Sequence, residues 1–306
     1  MGGRQEGQGR LVILALVLAV GLPVWVLIAP HVAASAATAG CSPTDPAPQV
    51  LSASADDVVV GSATHRETNL QLSTVWVRDA CGGMLDFQGC SYDPPRPCFT
   101  GQVSMHRTSA APVSARRCGR FLNTFDNTDL HRPSPGDPAV VEVGFAHSWD
   151  AWFDEEEMQP RLTNACAGAW DLTASFSHTS SDGSTAVGAP MTTVRAFSVR
   201  RRAALTTNAG PEPVHAGGLV TVRGRLTRAD WNGRPYQPYD GMRVALQRRS
   251  ETGRYTTLRW IRTGTDGRLR TTLRALSTPR CYRWVFPGSS TTAPADGNGD
   301  CLALKG

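Results

Sequence analysis

The residues whose types and spacing point to chemistry are eight cysteines, three clusters of acids and one aromatic-rich turn. Asp296-Gly297-Asn298-Gly299-Asp300 sets oxygen ligands at positions 1, 3 and 5, as an EF-hand loop does. Position six needs glycine and holds Cys301, and position twelve lies beyond Gly306, so an EF-hand is excluded. A looser calcium site through Asp296, Asn298 and Asp300 remains, against a plain polar hairpin loop. Asp150, Asp154, Glu155 and Glu157 form a second acidic cluster beside Trp149, Trp152 and Phe153, and Asp126, Asn127 and Asp129 a third. Acids this close repel one another. They are therefore expected to face water, meet the chain's arginines or hold a cation. No cofactor is assigned, and calcium is the only candidate.

Catalytic constellations are missing. The chain has no G-x-S-x-G, no H-E-x-x-H and no P-loop, and its histidines at 65, 106, 131, 147, 178 and 215 show no i, i+4 pair. A glycosidase pair among Asp150, Asp154 and Glu157 fits less well than a solvated loop. A secreted hydrolase with its site in residues 80–138 is kept as an alternative to a non-catalytic protein. Trp231, Tyr236 and Tyr239 lie in a turn-rich crossing. There they either stack on a sugar or peptide or pack over the open end of a core.

Cysteines stand at 41, 81, 90, 98, 118, 166, 281 and 301, with no C-x-x-C pair that would suggest zinc. An even count in an exported chain predicts disulfides. Cys281 with Cys301 is the simplest pair, while Cys41, Cys81, Cys90, Cys98, Cys118 and Cys166 admit 15 pairings. Export is read from the N-terminus. Arg4 and Arg10 precede the apolar run Leu11 to Ala29, and small residues follow with A-x-A sites at 34–36 and 37–39. Residues 1–39 are thus a signal peptide or an N-terminal membrane anchor, the only expected contact with a membrane. Thr38 argues against lipidation of Cys41. The expected location is extracellular or at the cell surface.

Charged residues make up 19% of the chain and hydrophobic ones 41%, a globular composition. The net charge of +5 is dispersed, and no basic stripe interleaved with aromatics is visible, so nucleic acid is not expected as a partner. Lys305 is the only lysine.

Period-2 alternation dominates from Leu219 to Ala275. Val220, Val222 and Leu226, then Val244 and Leu246, then Leu258 with Trp260 or Ile261, mark half-buried antiparallel strands. Trp76, Trp170 and Trp260 are expected in cores. Short strands with turns every 8–12 residues predict a mostly β chain of two immunoglobulin-like β-sandwich domains. The expected organisation is a Pro-rich lead-in at 40–56, a cysteine-rich sandwich at 57–200, a solvated linker at 201–213 around three arginines, and a second sandwich at 214–306. Between Ala80 and Pro138 the alternation dissolves.

The second half carries Asn208-Ala209, Pro211-Glu212-Pro213-Val214, Gly224-Arg225-Leu226-Thr227-Arg228-Ala229-Asp230-Trp231, Tyr236, Tyr239, Gly241, Val244-Ala245-Leu246-Gln247, Arg249, Thr265-Asp266-Gly267, Arg283-Trp284, Phe286 and Gly288. In these motifs residues 205–304 resemble secreted immunoglobulin-like β-sandwich proteins of actinobacteria, often labelled calcium-binding. The resemblance implies a fold and an exported location, and it maps no calcium ligand onto this chain. The expected function is a non-catalytic surface or secreted binding or structural protein. Its partner would be a surface protein, a glycan or a peptide.

Overall fold

A computed structural model describes residues 46–62, 69–78, 98–108, 118, 120–123, 131–134, 137–149, 162–179 and 186–306. Residues 1–39, Cys41, Cys81, Cys90 and the acids at 126–129 and 150–157 lie outside them. Among the described residues no helix is long and apolar enough to cross a membrane. Nearly all regular structure is strand.

Two sheets enclose the first core. One has the order β1 (Gln49–Ala55), β3 (Asn69–Arg78), β7 (Asp137–Trp149), β6 (His131–Ser134). The other runs β2 (Val58–Val60), β10 (Thr192–Arg201), β8 (Gly168–Thr179), β4 (Cys98–Arg107), β5 (Arg120–Asn123), with β9 (Ala186–Gly188) also on β8. The chain's first extended piece divides between the sheets. β1 pairs antiparallel with β3, and β2 crosses over to run parallel to β10. This is a β-sandwich of immunoglobulin type. Alternation along each strand turns Val75 and Val77, Val103 and Met105, Trp170 and Leu172, and Phe197 and Val199 inward, where they are buried. Two expectations change here. The lead-in 40–56 already contains β1, and 80–138 contains β4, β5, β6 and the start of β7.

The second core lies between another pair of sheets. β12 (Leu219–Asp230) is flanked by β11 (Ala203–Gly210) on one side, and by β16 (Arg268–Arg274) and β13 (Arg234–Pro238) on the other. The facing sheet has the order β15 (Thr256–Arg262), β14 (Arg243–Ser250), β17 (Arg280–Phe286), β18 (Ala295–Asp296), with β19 (Asp300–Cys301) also on β17. Val220, Val222, Leu226, Val244, Leu246, Leu269, Tyr282, Trp284 and Phe286 fill the space between. Leu258 and Ile261 pack against this core, whereas Trp260 is 44% exposed under the Arg243 guanidinium. Trp260 therefore does not belong to the core. The bulge between Leu246 and Gln247 shifts the β14–β15 register and ends the simple alternation there.

Gly224 explains how a tryptophan fits beneath β12. A Cβ added there would lie 2.5 Å from Trp284 Cδ1 and 2.6 Å from Thr206 O, and Trp284 Nε1 donates to Arg223 O at 3.0 Å. Neither main chain nor a fully buried indole can give way. Gly224→Ala is expected to cost about 3 kcal/mol by overpacking, read as a lower denaturant midpoint at unchanged slope.

Among the described residues, two disulfides brace the sandwiches. Cys118 joins Cys166, and Cys281 joins Cys301, its cross-strand neighbour. The second closes a loop across a sequence separation of 20. Its loss in a Cys281→Ser/Cys301→Ser variant is expected to cost about 3 kcal/mol on the chain-entropy account. Thermal melting of this variant beside the parent checks that figure.

The stretch 201–213 is not a solvated linker. It carries β11, and Arg201 is 7% exposed. Arg201 N donates to Thr291 O and Arg201 O accepts from Ala293 N, while Arg202 N donates to Val60 O and Arg202 O accepts from Ala229 N. Main-chain pairing on both sides pulls the arginines into the structure. Burial, with Arg228 nearby, pushes the Arg201 guanidinium down to about 10.

Trp231 closes this joint. It belongs by sequence to the β12–β13 turn but is fully buried in the first core. Its Nε1 donates to Gly61 O at 2.8 Å and to Val60 O at 3.3 Å. Asn164 accepts from Trp231 N at 2.9 Å through Oδ1, and its Nδ2 donates to Asp230 Oδ1 at 2.5 Å. Asn232 accepts from Asn164 N at 3.2 Å, which completes the clasp.

Candidate functional site

Among the described residues, the outer face of the sheet β11–β12–β16 gathers arginines into one small area. Inward Val220, Val222 and Leu226 force Thr221, Arg223 and Arg225 outward on β12, and Leu269 likewise forces Arg268 and Arg270 outward on β16. The antiparallel register then sets Arg223 directly opposite Arg270, and Arg225 directly opposite Arg268. Cβ atoms of such pairs lie about 5 Å apart, and successive outward residues on one strand about 6.8 Å apart. Four guanidinium groups thus rise from a small rectangle of sheet. They line an open depression of about 410 Å³ with Thr206 and Asn208 of β11.

One acid serves this cluster among the described residues. Asp266 pairs with Arg268 at 3.1 Å, and its main-chain oxygen accepts from Arg225 Nε at 3.3 Å. Arg223 and Arg270 have no acidic partner there. Glu212, beside the adjoining depression that Arg223 also lines, accepts from Ala303 N at 3.1 Å. Like charges directly opposite on a sheet destabilise it, typically by a few tenths of a kcal/mol to about 1 kcal/mol per pair. Guanidinium forks bind carboxylate, sulfate and phosphate through paired hydrogen bonds. The described lining of this depression includes no aromatic ring and so lacks the stacking platforms of single-strand nucleic-acid sites.

The charge was dispersed in sequence and is gathered by register. Residues 203–306 hold 15 arginines and Lys305 against seven acids, and residues 1–202 hold 15 basic residues against 19 acids. What changes is the expectation of dispersed charge, and no aromatic side chain lines the arginine depression. The signal was the pair of R-x-R alternations, Arg223-Gly224-Arg225 and Arg268-Leu269-Arg270, each on a strand with apolar partners at the intervening or next inward position.

The sequence-derived candidates lie elsewhere. Trp231 is sealed in the first core. Tyr239 is 6% exposed, edge-on to Phe286 at 5.6 Å, with Arg228 over its ring at 3.9 Å. Burial alone would raise its phenol, but a hydrogen bond with Ser289 and the cations of Arg228 and Arg201 hold it below the ordinary value. Tyr236 is half-buried against the first core. Trp231 and Tyr239 are thus taken up in the two cores, and Tyr236 lies on β13. Asp296 pairs with Arg283 at 2.9 Å, and Asp300 Oδ2 accepts from Ala209 N at 2.6 Å, while Asn298 is exposed. Among the described residues no three His, Cys, Asp or Glu side chains converge as a metal site requires. Asp150, Asp154, Glu155 and Glu157 lie outside the described residues, as does most of the insert kept for a hydrolase.

No family model matches the sequence, and no curated protein matches it. Solved structures with a similar chain trace include a marsupial T cell receptor (TM-score 0.34, 8% identity, 84% of this chain and 73% of that one). The D0-D1 domain of intimin is another (TM-score 0.25, 13% identity, 83% and 98%). An amphioxus IgVJ-C2 molecule is a third (TM-score 0.25, 11% identity, 80% and 99%). No residue role is carried over from them.

Proposed function

We propose that this chain is an exported, disulfide-braced, non-catalytic binding protein whose second sandwich presents its arginine face to a polyanion. One observation carries the reading: two arginine pairs stand directly opposite each other on an exposed sheet, served by a single acid among the described residues. A surface so arranged is more stable with an anion on it than without. The ligand chemistry is a row of carboxylates, sulfates or phosphates, spaced a few ångströms apart. Export is supported by the signal-like N-terminus and by the disulfides, which persist in oxidising compartments. The non-catalytic part is supported by the lining of the depression, which offers cations, an amide and a hydroxyl but no histidine or cysteine to act as base or nucleophile.

The test is binding of the full chain to polyphosphate, a sulfated polysaccharide and polyglutamate, with polylysine as control. Binding to the anions alone is expected, weakened about tenfold or more in an Arg223→Thr/Arg270→Thr variant. Failure to bind any anion, or equal binding by the variant, contradicts the reading.

A further inference from the structure

We infer that the open edge of β16 takes an extended acidic peptide as an added strand. The inference rests on the polyanion reading above and narrows it to one ligand class.

Main-chain direction along β16 is set by its bonds to β12. Ala275 N donates to Gly218 O at 2.8 Å, Ala275 O accepts from Gly217 N at 2.9 Å, and Gly267 O accepts from Leu226 N at 2.9 Å. Residues of that parity turn their main-chain groups toward β12. Strand alternation therefore turns the N–H and C=O groups of Arg270, Thr272 and Arg274 the other way. Arg268 agrees, since its O accepts from Gly264 N in the preceding turn at 2.9 Å. Among the described residues no strand pairs with β16 on that side, and Arg270, Thr272 and Arg274 are exposed. Arg259 of β15 reaches across below, donating to Thr271 Oγ1 at 3.2 Å, and places another cation beside the same edge.

Edge and charge ask for the same partner. An unpaired strand edge presents alternating donors and acceptors, which another extended chain can satisfy. Polyphosphate or a sulfated glycan offers acceptors to the arginines but few donors for the waiting carbonyl groups. A second copy of β16 would set arginine against arginine, which like-charge repulsion disfavours. A peptide with acids at every second residue meets both demands. Its same-face repeat of about 6.8 Å equals that of Arg268, Arg270 and the residues beyond. Each residue opposite Arg270 or Arg274 would bond the edge and carry its side chain on the arginine face.

The probe is a seven-residue peptide alternating threonine and glutamate, followed by fluorescence anisotropy on the full chain. Two perturbations separate strand addition from charge attraction. N-methylation of the glutamates removes the N–H groups that would face β16 and leaves the peptide's charge. Thr272→Pro removes an outward N–H of β16 that β12 does not use, a substitution an edge strand accepts. Each is expected to weaken the peptide about tenfold or more, while binding of polyphosphate to Thr272→Pro is unchanged. The methylated peptide needs no protein variant, so it decides the matter even where Thr272→Pro folds poorly. Equal binding of the methylated and plain peptides overturns strand addition. Polyphosphate binding without peptide binding also overturns it and spares the anion reading, whereas failure of both ligands sinks that reading as well.

Discussion

Trp231→Ala is expected to lower the thermal midpoint by about 10 °C or more. A fully buried tryptophan cut to alanine costs roughly 3–5 kcal/mol through lost contacts and the cavity left behind. The cost also includes the donor that serves Val60 O and Gly61 O, two carbonyls from the first sandwich. For a chain of this size each kcal/mol moves the midpoint by roughly 2–4 °C. The pattern should be as telling as the size. The second core keeps its own closed set of buried residues, so its transition should stay near the parent's while the first melts early. Trp231→Phe, which refills most of the volume without the N–H, should recover over half of the loss. A single transition displaced by less than about 1 kcal/mol contradicts the clasp.

The second large effect pulls stability and binding apart. Replacing Arg223, Arg225, Arg268 and Arg270 together by threonine removes two facing like-charge pairs and installs a good strand former on exposed positions. Free of ligand, the variant is expected to be about 1 kcal/mol more stable than the parent. Its affinity for polyanions should fall by at least about a hundredfold, since charged hydrogen bonds are worth roughly 1.5–3 kcal/mol each. A merely solvated surface predicts neither change. Loss of stability in the ligand-free variant would mean that the arginines hold the sheet together instead of straining it, and would contradict the anion site.

How far these features were legible in the sequence follows from which interactions are local. Alternation reports which side of a strand is buried, so Val220, Val222, Leu226, Val244 and Leu246 could be read directly, and with them the β-sandwich class. Which strand lies beside which is a matter of long-range pairing. The opposition of Arg223 to Arg270 spans 47 positions and exists only once β12 and β16 are in register. The same holds for Trp231. Its turn-rich neighbourhood, with Tyr236 and Tyr239, marked a loop, and only the position of Val60, Gly61 and Asn164 from the other half makes it a core residue. Arg201 shows the converse error. Three successive arginines suggested solvent, but main-chain pairing to Thr291 and Ala293 on one side and a neighbouring pairing to Val60 on the other left its side chain nowhere to go but inward.

The central claim is that four register-paired arginines form an anion site, and its most direct test is the salt dependence of polyphosphate binding by the full chain. Ion-pairing guanidinium groups displace counterions, so log affinity should fall linearly with log salt, at a slope of about −3 to −4 for four contacts. In the four-threonine variant the slope should shrink toward zero. A slope near zero in the parent, or the same slope in both proteins, would contradict the claim.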